Sequence, residues 1–153
     1  MSALPKPLPQ FFPLRFSDLE RVSGIEHVLY EFPWSVGNFR DSLNSGYSCW
    51  SCFIQGELIG YAVLMTATNE AHLLNISVAT AWQGNGLGTA LLDYLSALAR
   101  DRDCHRMLLE VRVSNLDARR LYERNGFIAI GERKNYYPAR NGREDGIVLA
   151  RKL

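Results

Sequence analysis

Gln83-Gly84-Asn85-Gly86-Leu87-Gly88-Thr89 sets three glycines at alternate positions just ahead of an apolar helical pattern. Glycine reaches backbone angles closed to other residues and lets a ligand approach the main chain. The free N–H groups that open the following helix, helped by its dipole, make a seat for an anion such as pyrophosphate. The turn is not a P-loop, since no Gly-x-x-x-x-Gly-Lys-Ser/Thr is present. Nor is it a dinucleotide fingerprint: counted from Gly84 and Gly86, the third glycine would fall at Thr89. Two other residues could move a proton. Glu110 is an acid inside the apolar run Leu108-Leu109-Glu110-Val111-Arg112, where burial would raise its pKa. The same placement suits an ion pair with Arg112 on the same strand face. Tyr122 carries a phenol of ordinary pKa about 10, and it also suits a half-buried core tyrosine on the face of Ala118.

The elements that must position these residues are legible in outline. Leu73 to Val78 reads as the end of a strand beginning at Ala71, with β-branched Ile76 and Val78. Leu87, Leu91, Leu92, Leu95 and Leu98 share one face of a helix over about Gly86–Arg102. Arg106–Arg112 reads as a strand, and Ser114-Asn115 caps a helix through about Arg124, ended at Asn125-Gly126. Upstream, Leu14–Phe16 suits a short first strand. Ser17-Asp18-Leu19-Glu20 has the form of a capping box for a helix to about Tyr30, with Leu19, Val22, Ile25, Val28 and Leu29 inward. Ser35 caps a second short helix with Phe39 and Leu43 inward. Tyr47–Gln55 and Leu58–Ala67 are two strands joined at Gly56-Glu57. Phe127–Arg133 and Gly146–Arg151 are two last strands, separated by a polar loop. The order is mixed α/β.

The chain has 153 residues, which suits one domain over residues 1–153, with residues 1–13, rich in proline, as an extended lead-in. It is 47% hydrophobic and 22% charged with a formal net charge of +1, so no global field favours nucleic acid or membrane. No apolar run is long enough to span a bilayer, and the proline-rich start lacks the apolar core of a signal peptide. A cytoplasmic protein is expected, and the odd count of three cysteines suits a reducing compartment. Cys49-x-x-Cys52 falls in a strand, where that spacing puts the thiols on opposite faces; a structural role is expected. His27, His72 and His105 match no ligand spacing, so no metal is expected.

Gln83, Gly86 and Gly88 resemble the Gln/Arg-x-x-Gly-x-Gly/Ala signature of the GCN5-related N-acetyltransferases (GNAT). The element order matches that fold along nearly the whole chain. Leu109-Glu110-Val111-Arg112, Ser114-Asn115, Leu121-Tyr122 and Gly126-Phe127 further resemble the bacterial RimI-type ribosomal-protein-alanine N-acetyltransferases. So do Phe32-Pro33-Trp34-Ser35, Asn75-Ile76-Ser77-Val78, Asn135-Tyr136-Tyr137-Pro138 and Glu144-Asp145-Gly146-Ile147. The resemblance implies an α/β fold whose central mixed, mostly antiparallel sheet splays at a cofactor cleft, flanked by about four helices. It implies acetyl-coenzyme A as co-substrate, held by Gln83, Gly84, Asn85, Gly86, Leu87, Gly88 and Thr89 at the pyrophosphate. The backbone of Ile76, Ser77 and Val78 and the Asn115 side chain would hold the pantetheine arm. Asn115 also reads as a helix cap, and both can hold. The Val78 N–H would polarise the thioester carbonyl. Glu110 is the implied general base and Tyr122 the implied general acid. Trp34, Tyr136, Tyr137 and Glu144 are the implied acceptor side, with Asp145 beside Glu144 for a basic residue of the substrate.

The implied reaction is attack of an amine on a thioester, with acetyl passed to the N-terminal alanine of a ribosomal small-subunit protein in a ternary complex. An α-amine with pKa about 8 is roughly a tenth neutral at pH 7, and a lysine amine at about 10.4 well under a thousandth, so a modest base suffices for an N-terminus. A lysine or small-amine acetyltransferase of the same fold and a silent acyl-coenzyme A-binding module are the alternatives. A monomer or weak dimer is expected. The chain departs from the family in its N-terminal prolines and in Gln83, where many members carry arginine.

Overall fold

The computed structural model describes residues 7–153. Its strands are β1 (Gln10–Pro13), β2 (Ser48–Ile54), β3 (Glu57–Ala67), β4 (Glu70–Val78), β5 (Arg106–Arg112), β6 (Ile128–Ala139) and β7 (Gly142–Lys152). Its α-helices are α1 (Leu19–Leu29), α2 (Val36–Asn44), α3 (Leu87–Asp101) and α4 (Leu116–Arg124). The strands form one sheet in the order β1-β2-β3-β4-β5-β7-β6. Every neighbouring pair is antiparallel except β4–β5, which is parallel. A parallel pair cannot be joined by a hairpin, and α3 supplies the crossover.

Apolar residues on the two sheet faces make two cores. Leu73, Met107 and Leu109 pack with Leu91, Leu92 and Leu95 of α3 and Tyr122 of α4. On the other face Tyr61 and Val63 pack with Leu19 and Val22 of α1 and Phe39 of α2. Burying one such side chain fully is worth roughly 1.5–3 kcal/mol. Cys49 and Cys52 are buried in different clusters, as their odd spacing requires.

The feature that positions the site is an early parting of two central strands. β4 pairs with β5 only from Glu70↔Arg106 to Leu73↔Leu109. Beyond that point β4 stays with β3 as far as Gly60↔Val78. β5 stays with β7 as far as Arg112↔Gly146. The sheet is therefore open between Leu74–Val78 and Glu110–Arg112, at the end of β4 that leads to α3.

Four expectations need correction. The first strand is Gln10–Pro13 rather than Leu14–Phe16, so part of the expected lead-in is sheet. It is an edge strand, where proline costs no ladder bond, and Phe11 stacks on Tyr94 at 4.5 Å. The rest of the lead-in, residues 1–6, lies outside the described residues. No Ser17–Glu20 box caps α1: a 3-10 turn over Phe16–Asp18 leads into it, opened by the Asp18 carboxylate, which accepts from the Arg15 N–H (3.1 Å). On α1, Val28 is 77% exposed and Glu26 is buried in its place. Finally, no polar loop separates the last strands: β6 and β7 form one hairpin that turns at residues 140–141. β6 is exposed on both faces from Ile128 to Tyr136 and its register slips between Arg133 and Tyr137, so its sequence has no regular alternation to read.

Candidate active site

The glycine turn is built as its spacing demands, with one difference. Gly84 (φ +78°) and Gly86 (φ +76°) hold left-handed backbone, and Gly86 caps α3. The first helical bond there runs from Ala90 N to Gly86 O (3.0 Å), which leaves the N–H groups of Leu87, Gly88 and Thr89 facing out of the helix end. Gly88 serves packing instead: a Cβ there would lie 2.9 Å from Leu121 Cδ2, so it lets α4 close on α3. Gln83 and Asn85 shape the loop. Gln83 Nε2 donates to Val78 O (2.9 Å), and Asn85 Nδ2 donates to Trp82 O (3.1 Å) and Gln83 O (3.2 Å).

The turn opens into a cleft of 740 Å³ that follows the parted strands. Gln83, Gly84, Gly86, Leu87, Gly88 and Thr89 line one end, Ile76, Ser77 and Val78 one wall, and Asn115 and Tyr122 the wall opposite. Ala79 N donates to Ile59 O of β3 (2.8 Å). Main-chain groups alternate sides along a strand, so those of Ile76 and Val78 point the other way, into the gap that β5 has left. The backbone of Ser77 faces β3, opposite Tyr61. Asn115 caps α4 through Oδ1, which accepts from Ala118 N (3.3 Å), while the residue lines the cleft. Unpaired strand groups, a bare helix start and a side-chain amide in one channel fit a molecule with amides along its length and phosphates at one end.

Tyr122 is buried against Phe127, with ring centroids 5.7 Å apart. Burial pushes its phenol well above the ordinary tyrosine range, and the phenols of Tyr30 and Tyr137 add to this. Glu110 is not on the cleft wall: it stands on the same face of β5 as Arg112, which does line the cleft, two residues further from the opening. The Glu110 side chain is 10% exposed, and its Oε1 lies 3.3 Å from Arg133 Nη2 and 3.8 Å from His72 Nε2. Its hydrogen bond raises the pKa of Tyr136, with burial adding to the effect. Glu110 does not pair with Arg112. That guanidinium instead donates to Glu144 Oε1 (3.0 Å) and Pro138 O (2.7 Å), under the rings of Phe32 (5.2 Å) and Tyr137 (4.6 Å).

Glu144 lines the cleft and also accepts from Ser114 N (3.0 Å). Hydrogen bonding from Ser114, with Arg112 adding, holds its carboxyl below the usual carboxylate range against its burial. Asp145 accepts from Asn135 N (2.8 Å), where Asn135 has φ +50° and the hairpin register slips. The slip carries Tyr136 and Tyr137, which stand beside Glu110 and Arg112 rather than on the cleft wall. Burial pushes Tyr137 up to about 12, with the Glu110 carboxylate adding. Trp34 also stands off the wall, half-buried against Phe39 (5.1 Å), and its N–H donates to Glu26 Oε2 (3.0 Å).

Sequence reasoning missed two residues beneath the cleft, Glu26 and Tyr30. Glu26 Oε1 accepts from Tyr61 Oη (2.8 Å) and Asn75 Nδ2 (3.1 Å). The Tyr30 hydroxyl lies 2.7 Å from Ser77 Oγ and 3.4 Å from Ile76 O, and the residue lines the cleft. The available signal was an acid standing inside the inward stripe of α1.

Residues 10–127 match the family model described as "Acetyltransferase (GNAT) family". The chain is 37% identical over 137 residues to the [ribosomal protein bS18]-alanine N-acetyltransferase of Escherichia coli K12, covering 90% of this chain and 93% of that one. The enzyme of the same name from Haemophilus influenzae is also 37% identical, over 87% of this chain and 91% of its own. The crystal structure of the ribosomal-protein-S18-alanine N-acetyltransferase from Escherichia coli superposes with a TM-score of 0.88 at 35% identity, covering 95% and 94% of the two chains.

Proposed function

This chain belongs to the GNAT family of acetyltransferases, and we propose that it transfers acetyl from acetyl-coenzyme A to the N-terminal alanine of ribosomal protein bS18. The observation that carries the reading is one channel that joins an unpaired strand edge to a bare helix start, with the Tyr122 phenol on its wall. The names and high coverage of the relatives support the acceptor. Three buried, unpaired thiols suit the cytoplasm.

In this reading the N–H groups of Leu87, Gly88 and Thr89 take the pyrophosphate, in a loop whose shape Gly84, Gly86, Gln83 and Asn85 fix. The main chain of Ile76 and Val78 takes the pantetheine amides, with Ser77 anchoring that strand to β3 and the free amide of Asn115 facing from α4. The thioester carbonyl meets the Val78 N–H, which is placed to stabilise the oxyanion. Glu110 takes a proton from the acceptor's α-ammonium, through water across the short distance to the cleft wall. The amine nitrogen bonds to the thioester carbon, the carbon–sulfur bond breaks, Tyr122 gives its proton to the departing sulfur, and the second proton shed by the new amide nitrogen restores the phenol. Trp34, Tyr136 and Tyr137 shape the acceptor side. Glu144 acts on the acceptor by holding Arg112 at the wall.

The test is thiol release from acetyl-coenzyme A with two peptides, one beginning with free Ala-Arg and one with a blocked N-terminus and an internal lysine. Turnover with the first alone is expected. Turnover with the second alone refutes the N-terminal reading.

A further inference from the structure

The cleft floor holds a hydrogen-bonded chain whose donor directions follow from its first member. Glu26 is 2% exposed. Its two oxygens accept from Trp34 N, Tyr61 Oη and Asn75 Nδ2, at 3.0, 2.8 and 3.1 Å. All three partners are neutral donors. A carboxylate only accepts, so Asn75 must turn its amino group toward Glu26 and its oxygen away. That oxygen accepts from Ser77 Oγ (2.9 Å). A hydroxyl has one proton, and Ser77 has given its own to Asn75. The 2.7 Å contact between Tyr30 Oη and Ser77 Oγ is therefore made with the Tyr30 proton. The proton of Tyr30 points into the protein, and the lone pair left on its oxygen faces the cleft.

The position of that lone pair identifies what it meets. The anion seat is at Leu87–Thr89, so an extended co-substrate lying along β4 brings its thioester carbonyl to the Val78 N–H and its acetyl group on toward Ile76. Tyr30 Oη is 3.4 Å from Ile76 O, at that far end. Tyr122, whose phenol feels Tyr30, lines the same cleft from the opposite wall. A protonated or neutral amine arriving there has N–H groups to donate, and Tyr30 is placed to accept one.

We infer that Tyr30 is a substrate-binding residue: its oxygen accepts a hydrogen bond from the acceptor's α-amino group, with its direction imposed by Glu26 through Asn75 and Ser77. The inference rests on the N-terminal acetyltransferase reading. It assigns the capture of the amine to a phenol just past the C-terminus of α1, on the opposite side of the gap from Glu110. Held by one N–H, the amine keeps its remaining hydrogens for Glu110 and its lone pair for the thioester carbon.

Two variants test it, with the free Ala-Arg peptide as the probe. Tyr30→Phe keeps the ring and removes the oxygen. The peptide KM is expected to rise about tenfold, the size of one hydrogen bond to a charged group. Acetyl-coenzyme A affinity, read by calorimetry, is expected to stay within about twofold. Ser77→Ala leaves Tyr30 free to turn its proton toward the amine, so the peptide KM should rise by about threefold in the native background and not at all in the Tyr30→Phe background. A residue that only packs would give additive effects. A peptide KM within twofold of the native value in Tyr30→Phe overturns the inference. So does a tenfold loss of acetyl-coenzyme A affinity with the peptide KM unmoved, or additivity of the two changes. Absence of turnover by the native protein on this peptide, with turnover on the lysine peptide, removes the N-terminal reading itself and the inference with it.

Discussion

Replacing Tyr122 by phenylalanine isolates one oxygen. The ring keeps its contact with Phe127 at 5.7 Å, so the fold is not at stake. What is lost is a proton donor on the cleft wall. Burial pushes the Tyr122 phenol well above its ordinary range, which by itself makes it a weaker acid. The same dryness acts on the leaving group. The protein's own Cys49 and Cys52 thiols show the size of the effect, since burial raises both to about 11. A thiolate expelled inside the cleft is similarly disfavoured as the anion, so its demand for a proton rises in step with the reluctance of the phenol to give one. General-acid assistance contributes roughly 10²–10⁴ in rate. At 1.36 kcal/mol per tenfold, that is about 2.7–5.4 kcal/mol of barrier. Tyr122→Phe should therefore lower kcat by about 100-fold or more in steady-state thiol release. Acetyl-coenzyme A affinity by calorimetry should be unchanged, because the phenol holds no part of the ligand in the ground state. A kcat within about threefold of the native value would refute the assignment, and a matching loss of affinity would make Tyr122 a binding residue instead.

Gly88→Ala brings a Cβ to 2.9 Å from Leu121 Cδ2, so the Leu121 side chain at the seam between α3 and α4 must turn aside. Overpacking costs about 1–3 kcal/mol and the helix preference of alanine over glycine returns about 1 kcal/mol, so Tm should fall by no more than a few degrees in a thermal melt. Acetyl-coenzyme A affinity should fall as well, since the seam carries the helix start that would hold the phosphates. Glu144→Gln tests the pinning of Arg112. The folded-state carboxyl is held below its ordinary value, chiefly by Ser114, so it adds stability above the usual carboxylate range. That contribution is lost as pH falls through the depressed value. The variant should melt below the native protein at pH 7, and the gap should close as the pH is lowered below about 4. A gap that is constant with pH would show that the charge of Glu144 is not what matters.

Features that depend on neighbours in sequence were readable without the structure. Gly86 opens α3, Ser35 caps α2 and Asn115 caps α4, because each acts within a turn of its own position. The parting of β4 from β5 was implied by family resemblance, and nothing in the residues themselves marks Leu73 as the last paired position. Distance explains the rest. Glu26 finds Tyr61 and Asn75 at separations of 35 and 49 residues, so nothing near it in the sequence marks its partners. Arg112 has Glu110 two residues away on its own strand but bonds Glu144, 32 residues on, because the hairpin register brings β7 beside it. β1 was hidden by Pro13 and the prolines that precede it in the sequence, and an edge strand tolerates a proline that a central one does not.

The early end of the β4–β5 ladder gives the molecule an edge where a sheet normally has none. Edge strands invite other chains, because unpaired main-chain groups template further pairing and so promote aggregation. Proteins ordinarily blunt that risk at the rim with charge, proline or cover. Here the exposed main chain lies between strands that remain firmly paired on their outer sides, behind Tyr30, Tyr122 and Asn115. The unpaired run is five residues, Leu74 to Val78, and alternation leaves only every second one facing the opening. A foreign strand finds too few partners to add itself, whereas a slim molecule carrying two or three amides finds enough. A size filter against self-association thus comes with the geometry that admits the donor.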